Sequence, residues 1–194
     1  METIILASGS PRRQEYFRLM GLPFRCMPAQ IDEDFNERAE AKTVAEALAA
    51  RKVSKIVEIL KEEARWVCGA DTIISLDGKI YGKPLDRPDA EQMLWAFQGR
   101  DHRVITAIAL YNDRAKTMDS RTVESTVSFA AMTAGEIEWY LNSGEWRDAA
   151  GAYKIQGLAS CFISDINGSY SSIVGLPLRE FYAMLRENNY PYGA

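Results

Sequence analysis

The sequence predicts an α/β protein built on a mixed, twisted β-sheet with flanking helices. Segments with strand-like and helix-like periodicity alternate along the 194 residues. Hairpin signals such as Asp77-Gly78 interrupt this alternation, so antiparallel pairs are expected beside parallel ones. A hydrophobic content of 47% is sufficient for a well-buried core at this length, and we expect residues 1–194 to form a single domain.

The chain starts with a strand and a helix in direct succession. Glu2–Ala7 reads as a strand, and Ser8-Gly9-Ser10-Pro11 supplies a turn, an N-cap and a proline at the first position of a helix that ends near Gly21. Phe24–Pro28 reads as a second short strand. A long helix is then predicted from Thr43 to about Ala64.

The rest of the chain continues this mixture of strands, hairpins and helices. A capping box of Thr133 and Glu136 marks one helix start. The remaining predicted elements are a strand at Trp66–Leu76 returning through Lys79–Tyr81, a helix at Arg87–Phe97 with Asp86 or Pro88 at its start, a long hairpin within Arg100–Phe129, a helix at Thr133–Leu141, a strand at Cys161–Ile166 with a turn at Asn167-Gly168 and a return at Ser169–Val174, and a helix at Leu178–Asn188.

Composition and charge exclude several classes of protein. The net charge is −4 and the basic residues are scattered, which argues against nonspecific or stable nucleic-acid binding. No apolar run approaches the ~20 residues of a membrane span, and Ile4–Ala7 is too short for a signal peptide, so a cytoplasmic location is expected. Three cysteines without CxxC spacing predict buried free thiols rather than a disulfide framework or a zinc site.

The segment Ser8–Arg13 places hydroxyl and guanidinium groups around the first turn of a helix that follows a strand. Unpaired N–H groups at such a turn form an anion site, and Arg12 and Arg13 can form forked hydrogen bonds to phosphate oxygens. An ordinary helix start followed by two solvated arginines is an equally good interpretation. Arginine in a first turn opposes the helix dipole, however, and is compensated by a bound anion.

Lys52 interrupts the apolar stripe of the long helix. On a helical wheel it lies near the middle of a stripe formed by Val44, Ala45, Leu48, Ala49, Ile56, Ile59 and Leu60. An unpaired buried ammonium is costly, so Lys52 must meet a carboxylate or a ligand anion, or else bury only its stem.

Two acidic residues stand out. Asp71 lies inside the apolar run Val67–Leu76, where Gly69 leaves room for a bulky group to approach the backbone. A structural Asp bonded to nearby N–H groups is the commoner case. Glu33 reads as part of a solvated acidic loop, or as a second oxygen ligand for magnesium or manganese beside Asp71.

Lys83 and His102 carry weaker signals. Lys83 lies on a rigid Gly-Lys-Pro loop, and His102, the single histidine, is assigned no role. Basic residues with carboxylates, and no nucleophile–base pair or zinc cluster, are typical of metal-assisted phosphoryl or nucleotidyl chemistry.

Several segments, in order and nearly end to end, resemble the signature of the Maf family of nucleoside triphosphate pyrophosphatases. They are LASGSPRR at Leu6–Arg13, GADTII at Gly69–Ile74, GKP at Gly82–Pro84, GAYKIQG at Gly151–Gly157 and INGSYSSIVGLPL at Ile166–Leu178. The resemblance implies a fold similar to that of inosine triphosphate pyrophosphatases, with two lobes around a cleft, and usually a homodimer.

The same resemblance implies roles for individual residues. Asp71 would activate the water, and Glu33 would bind a divalent metal, Mg or Mn, or order that water. Asp71 is an equal candidate for the metal, and the division between base and metal ligand stays open. The triphosphate would be held by Ser8, Arg12, Arg13, Lys52 and Lys83.

At three positions the chain resembles the subgroup of dTTP/UTP pyrophosphatases: Arg12, Thr72 and Gln156. The subgroup acting on 7-methyl-GTP has tryptophan, DQ and SEG at these places. The amide of Gln156 offers a donor and an acceptor for the O4 and N3–H edge of thymine and uracil. The implied function is hydrolysis of dTTP or UTP to the monophosphate and pyrophosphate, with clearance of modified pyrimidine nucleotides as a related role. The alternatives are a 7-methyl-GTP or CTP pyrophosphatase, and a division-regulating interaction protein.

Overall fold

The computed structural model describes residues 1–35, 39–61 and 65–192. The strands of its seven-stranded sheet are β1 (Ile4–Leu6), β2 (Phe24–Cys26), β3 (Trp66–Leu76), β4 (Lys79–Tyr81), β5 (Asp101–Asn112), β6 (Thr117–Phe129) and β7 (Ile163–Asn167). Their order is β2-β1-β3-β5-β6-β7, and β4 pairs with β3 outside this path. β1 runs parallel to β2 and β3, whereas the other pairs are antiparallel. The predicted mixed sheet is confirmed.

Side-chain caps that the sequence carries mark the starts of α3 and α4. Asp86 accepts a hydrogen bond from the Asp89 N–H at the start of α3, and Thr133 and Glu136 form the predicted capping box of α4. The helices are α1 (Pro11–Leu19), α2 (Ala41–Leu60), α3 (Arg87–Phe97), α4 (Ala134–Ser143), α5 (Tyr170–Val174) and α6 (Leu178–Glu187), with 3-10 turns at Ala150–Ala152 and Leu158–Phe162. The predicted end of α2 at Ala64 lies outside the described residues.

The predicted return strand at Ser169–Val174 is wrong, because this segment forms the short helix α5. The Ser169 hydroxyl accepts a hydrogen bond from the Ser172 N–H at 3.3 Å, which caps a helix start. Gly168, at φ +128°, turns the chain out of β7 immediately before this cap. Apolar β-branched residues such as Ile173 resemble a strand in sequence, but the capping serine decides the local structure.

Helices cover both faces of the sheet, and the pleat of β3 distributes its side chains between them. Val67 and Ile73 pack against α2, whereas Cys68 and Ala70 pack on the opposite face with residues of α1 and α6. A third apolar cluster joins the end of β3 to α3 and α4.

Two predictions about burial need correction. Ile59, predicted in the buried stripe of α2, is 51% exposed, because a helical wheel assumes that the sheet covers the helix along its whole length. The three cysteines are free as predicted, but only Cys68 is fully buried; Cys26 is partly buried, and Cys161 is exposed on a 3-10 turn. Within the described ranges, no helix is both long and apolar enough to cross a membrane.

Candidate functional site

A cavity of about 1230 Å³ opens between the start of α1, the middle of α2, the middle of β3 and the segments that flank α3. Every residue that sequence analysis proposed for the site contributes to its wall. These residues are Ser8, Arg12, Arg13, Glu33, Lys52, Asp71, Thr72, Lys83 and Gln156. They come from six separate stretches of the chain, so only the tertiary fold brings them together.

The centre of the wall is an ion-paired group of one lysine and two carboxylates. The Nζ atom of Lys52 lies 2.5 Å from Oδ1 of Asp71 and 2.6 Å from Oε1 of Glu33. Lys52 and Asp71 are each only 8% exposed, whereas the Glu33 side chain is about half exposed. Lys52 therefore meets carboxylates, as one of its three predicted outcomes required, and its ammonium is not left unpaired in the interior.

Local sequence explains why Lys52 reaches Asp71. Asp71 follows Val67 and Gly69 by even steps along β3, so it points to the face that α2 covers. A Cβ atom on Gly69 would lie 2.8 Å from Cγ2 of Val53 and 2.9 Å from the carbonyl oxygen of Ala49, both on α2. The room that sequence analysis saw at Gly69 is thus occupied by α2, and this close approach carries Lys52 to Asp71.

Burial and charge give the two carboxylates different acidities. Desolvation raises the pKa of Asp71 above its ordinary value, although the charges of Lys52 and Arg13 oppose this effect. Burial also acts to raise the pKa of Glu33, but the hydrogen bond and charge of Lys52, with Lys83 and Arg13, outweigh it, and the net shift is downward. Two carboxylates with separated pKa values are a common basis for different chemical roles in one site.

Arg13 is held rigidly by neutral acceptors. Its Nη1 donates to Ser8 Oγ at 2.9 Å, its Nε to the carbonyl oxygen of Gly175 at 2.8 Å, and its Nη2 to Thr72 Oγ1 at 3.4 Å. Thr72 Oγ1 lies 2.9 Å from Thr106 Oγ1, so the hydroxyls continue the network. Burial lowers the pKa of Arg13, but a guanidinium stays protonated at neutral pH. The site thus has a fixed positive charge near Asp71.

Sequence analysis missed two members of this network, Thr106 and Gly175. Thr106 is fully buried on β5 and donates to the Ser172 carbonyl oxygen at 2.7 Å. A polar side chain inside an apolar strand could have indicated Thr106, as it indicated Asp71. Gly175, at φ +127°, presents its carbonyl to Arg13, and nothing short of the tertiary fold indicates that contact.

The loop that carries Lys83 is anchored at both ends. The carbonyl oxygen of Gly82 accepts from the Gly151 N–H at 2.9 Å. At the other end the Leu85 N–H donates to Asp89 Oδ2 at 2.9 Å. Lys83 therefore projects into the cavity from a short fixed span of backbone.

Gln156 is exposed at the far side of the cavity, on a turn closed by a 3.0 Å hydrogen bond from the Gly157 N–H to the Lys154 carbonyl oxygen. The preceding residue Ile155 is buried in the core and anchors this turn. His102 does not contribute to the cavity wall; its Nε2 lies 2.8 Å from the Tyr153 hydroxyl, and burial lowers its pKa to about 4. The cationic side chains and the Gln156 amide thus lie on parts of the cavity wall that different elements build.

Asp71 and Glu33 offer carboxylate oxygens, which are the ligands that a hard divalent cation prefers. Asp71 and Glu33 both direct an oxygen to one cationic atom, Lys52 Nζ, so their oxygens already converge. Within residues 1–35, 39–61 and 65–192 no cluster of three or more Asp, Glu, His or Cys side chains could hold a metal ion. A Mg²⁺ or Mn²⁺ ion accepts few protein carboxylates when phosphate oxygens and water complete its shell, so the two residues fit such an ion.

The fold and the site together define an α/β protein with a cation-rich, carboxylate-containing cleft of nucleotide size. The chain belongs to the Maf-like protein family, whose sequence profile matches residues 3–188. The resemblance inferred from the motifs is thereby confirmed.

The chain is similar to proteins named dTTP/UTP pyrophosphatase. The protein of that name from Symbiobacterium thermophilum is 40% identical over 191 residues, covering 98% of this chain and 96% of the relative. The one from Salmonella typhimurium is 41% identical over 189 residues, covering 97% of this chain and 94% of the relative. The solved structure of the Staphylococcus aureus Ham1 protein aligns with a TM-score of 0.47 at 14% identity, over 66% of this chain and 72% of that one.

Proposed function

We propose that this protein hydrolyses dTTP and UTP to the nucleoside monophosphate and pyrophosphate. The observation that carries the proposal is the buried Asp71 carboxylate, paired with Lys52 inside a cavity whose wall also holds Arg12 and Lys83. The names of relatives about 40% identical over nearly the whole chain support the same activity. A cavity of about 1230 Å³ has room for a nucleoside triphosphate.

In this mechanism Asp71 takes a proton from a water molecule. The oxygen of that water attacks the α-phosphorus, the bond between the α-phosphorus and the bridging oxygen breaks, and pyrophosphate leaves with the bonding electron pair. A raised pKa makes Asp71 a stronger base than an ordinary carboxylate. Arg12, Lys52 and Lys83 stabilise the charge that grows on the phosphate oxygens.

Arg13 has a different part in this proposal. Its three hydrogen bonds to Ser8, Thr72 and Gly175 fix its guanidinium, so it contributes positive potential beside Asp71 and keeps the start of α1 against β3. Thr72 would support substrate binding through Arg13. Ser8 also accepts from the Ser10 N–H at 3.2 Å, which shapes the turn where phosphate would bind.

A divalent metal, Mg²⁺ or Mn²⁺, is part of the proposal, with Asp71 and Glu33 as its protein ligands. When bound, such an ion neutralises phosphate charge and polarises the phosphorus–oxygen bonds. Gln156 would recognise the nucleobase, because its amide can donate to the O4 acceptor and accept from the N3–H donor of uracil and thymine. Gln156→Glu should therefore weaken dTTP and UTP use specifically, since a carboxylate cannot donate to O4.

The testing experiment is an assay of pyrophosphate release over dTTP, UTP, CTP, dGTP and 7-methyl-GTP, with MgCl₂ or MnCl₂ and with EDTA. We expect dTTP and UTP to be the best substrates and EDTA to abolish turnover. Preference for 7-methyl-GTP or CTP would replace the proposed substrate. Absence of turnover of every nucleotide would favour the interaction protein instead. The homodimer, the absence of nucleic-acid binding and the cytoplasmic location stay predictions.

A further inference from the structure

Glu145 lies outside the proposed machinery, yet its carboxylate reaches the turn that carries Gln156. Oε2 of Glu145 accepts a hydrogen bond from the Leu158 N–H at 2.8 Å, across 13 residues of sequence. The bond holds the backbone immediately after Gln156 and Gly157. On the other side of the turn, Ile155 is fixed in the core.

The Glu145 carboxylate occupies the space that a side chain at residue 157 would fill. A Cβ atom on residue 157 would lie 2.8 Å from Cδ of Glu145, and closer still to Oε2. The backbone of Gly157, at φ −113° and ψ −153°, lies outside the left-handed region that favours glycine. A side chain at position 157 would therefore displace the Glu145 carboxylate from the Leu158 N–H.

Glu145 itself is placed by the end of α4. Gly144 ends that helix in the left-handed conformation at φ +74°, and the Trp146 indole Nε1–H donates to the Leu141 carbonyl oxygen at 3.0 Å. Trp146 is buried, so the residue before it has little freedom. The backbone that carries Glu145 is therefore held in place, and its carboxylate is tied down by the hydrogen bond from the Leu158 N–H.

From these contacts we infer that Glu145 is a positioning residue for nucleobase selection, which aligns the Gln156 amide by holding the backbone at Gly157 and Leu158. The inference rests on the proposed function, because it assigns a cause to the base preference of that same site. An amide that reads O4 and N3–H must be directed within a narrow range, and a displacement of ~1 Å at such a contact costs up to about 100-fold.

The test uses UTP and CTP, which share ribose and triphosphate and differ only at the base edge that Gln156 would read. General damage to the protein lowers turnover of both nucleotides, whereas misalignment of Gln156 lowers the ratio of their kcat/KM values. We expect this ratio to fall about 10-fold to 100-fold in Glu145→Ala and in Gly157→Ala. Glu145→Gln, whose amide oxygen still accepts from the Leu158 N–H, should retain most of the preference. Glu138→Ala, on the exposed side of α4, is the matched control with an unchanged ratio.

Combining the two substitutions tests the contact itself, without reference to activity. Gly157→Ala should lower Tm by about 2–10 °C in the wild-type chain, because the new methyl group displaces the carboxylate. In a Glu145→Ala background the same substitution should cost less than half as much, since the carboxylate is gone. Equal Tm losses in both backgrounds would show that the Glu145 carboxylate does not occupy the space of a side chain at residue 157.

The outcomes separate this inference from the proposed function. If the wild-type protein prefers UTP over CTP and Glu145→Ala keeps that preference, the inference is wrong and the proposed function stands. If the wild-type protein hydrolyses neither nucleotide, or both equally, the proposed base reading fails and the selective role of Glu145 fails with it. A reduced ratio in Glu145→Ala and Gly157→Ala, with retention in Glu145→Gln and a smaller Tm loss in the double variant, supports the inference.

Discussion

Burial and charge act in opposite directions on the Asp71 carboxylate. Removal from water favours its protonated form, and the ammonium of Lys52 at 2.5 Å favours its ionised form. The net effect is a raised pKa, so the Asp71 carboxylate is more basic than an exposed aspartate. The basicity of Asp71 is thus set by burial and by the charges around it.

Asp71→Asn tests whether Asp71 is the base that takes a proton from water. Asparagine keeps the volume and an oxygen that accepts from Lys52, but it cannot take a proton from water. We expect kcat for UTP to fall by about 10²–10⁴-fold while the thermal melting curve keeps its cooperative form. Asp165→Asn, at an exposed position of β7, is the control and should retain full activity. Near-normal turnover in Asp71→Asn would remove this residue from the role of base.

The pH dependence of activity should report the same carboxylate. Only ionised Asp71 accepts a proton, so kcat/KM should decrease as pH falls through a pKa above that of an ordinary aspartate. The charge of Glu33 contributes to that elevation. In Glu33→Gln the acidic limb of the kcat/KM profile should therefore move to lower pH, whatever the remaining rate. An unmoved limb, or one displaced to higher pH, would contradict the assignment.

At the scale of elements, the site depends on how closely α2 approaches β3. Lys52 extends from α2 and Asp71 from β3, and the absence of a side chain at Gly69 sets the distance between them. The helical period of 3.6 residues predicted that Lys52 faces inward, and the position inside an apolar run singled out Asp71. The partner of Lys52 stayed open between three possibilities, since the pairing of two elements cannot be read from either one alone.

Gly69→Ala should push α2 away from β3. Its methyl group would meet Val53 and the backbone of Ala49, so we expect a loss of about 1–3 kcal/mol in the free energy of unfolding. Turnover should decrease as well, because Lys52 is moved away from Asp71. The measurement is urea denaturation followed by circular dichroism. Gly135→Ala is the matched control, because a Cβ atom there meets nothing within 4 Å and alanine favours the helix by about 0.5–1 kcal/mol. Equal effects of the two substitutions would show that residue 69 does not limit how closely α2 packs against β3.

At the scale of the whole molecule, six separate stretches contribute candidate site residues to one cavity. A ligand that fills the cavity connects these stretches and should stabilise the folded state. With the non-hydrolysable analogue α,β-methylene-UTP at 100 times its Kd, mass action predicts about 2.7 kcal/mol. For a chain of this size that corresponds to a rise in Tm of about 5–10 °C.

This rise should require a divalent metal. Differential scanning calorimetry with MgCl₂ should show the full shift, and addition of EDTA should reduce it, because the metal binds together with the triphosphate. α,β-Methylene-CTP at the same concentration is the control for base selection and should give a smaller shift. No shift with the UTP analogue and metal would contradict the proposed binding site.

Periodicity, capping groups and motifs are local properties, so the sequence was enough to predict the mixed α/β class, the capped helix start at Thr133 and the candidate site residues. The pairing of Lys52 with both Asp71 and Glu33, and the hydrogen bonds of Arg13 to Ser8, Thr72 and Gly175, became known from the three-dimensional fold. These contacts join residues as much as 162 positions apart. Their geometry is set by helix packing against the sheet, which depends on many distant side chains at once and is not encoded in any single segment.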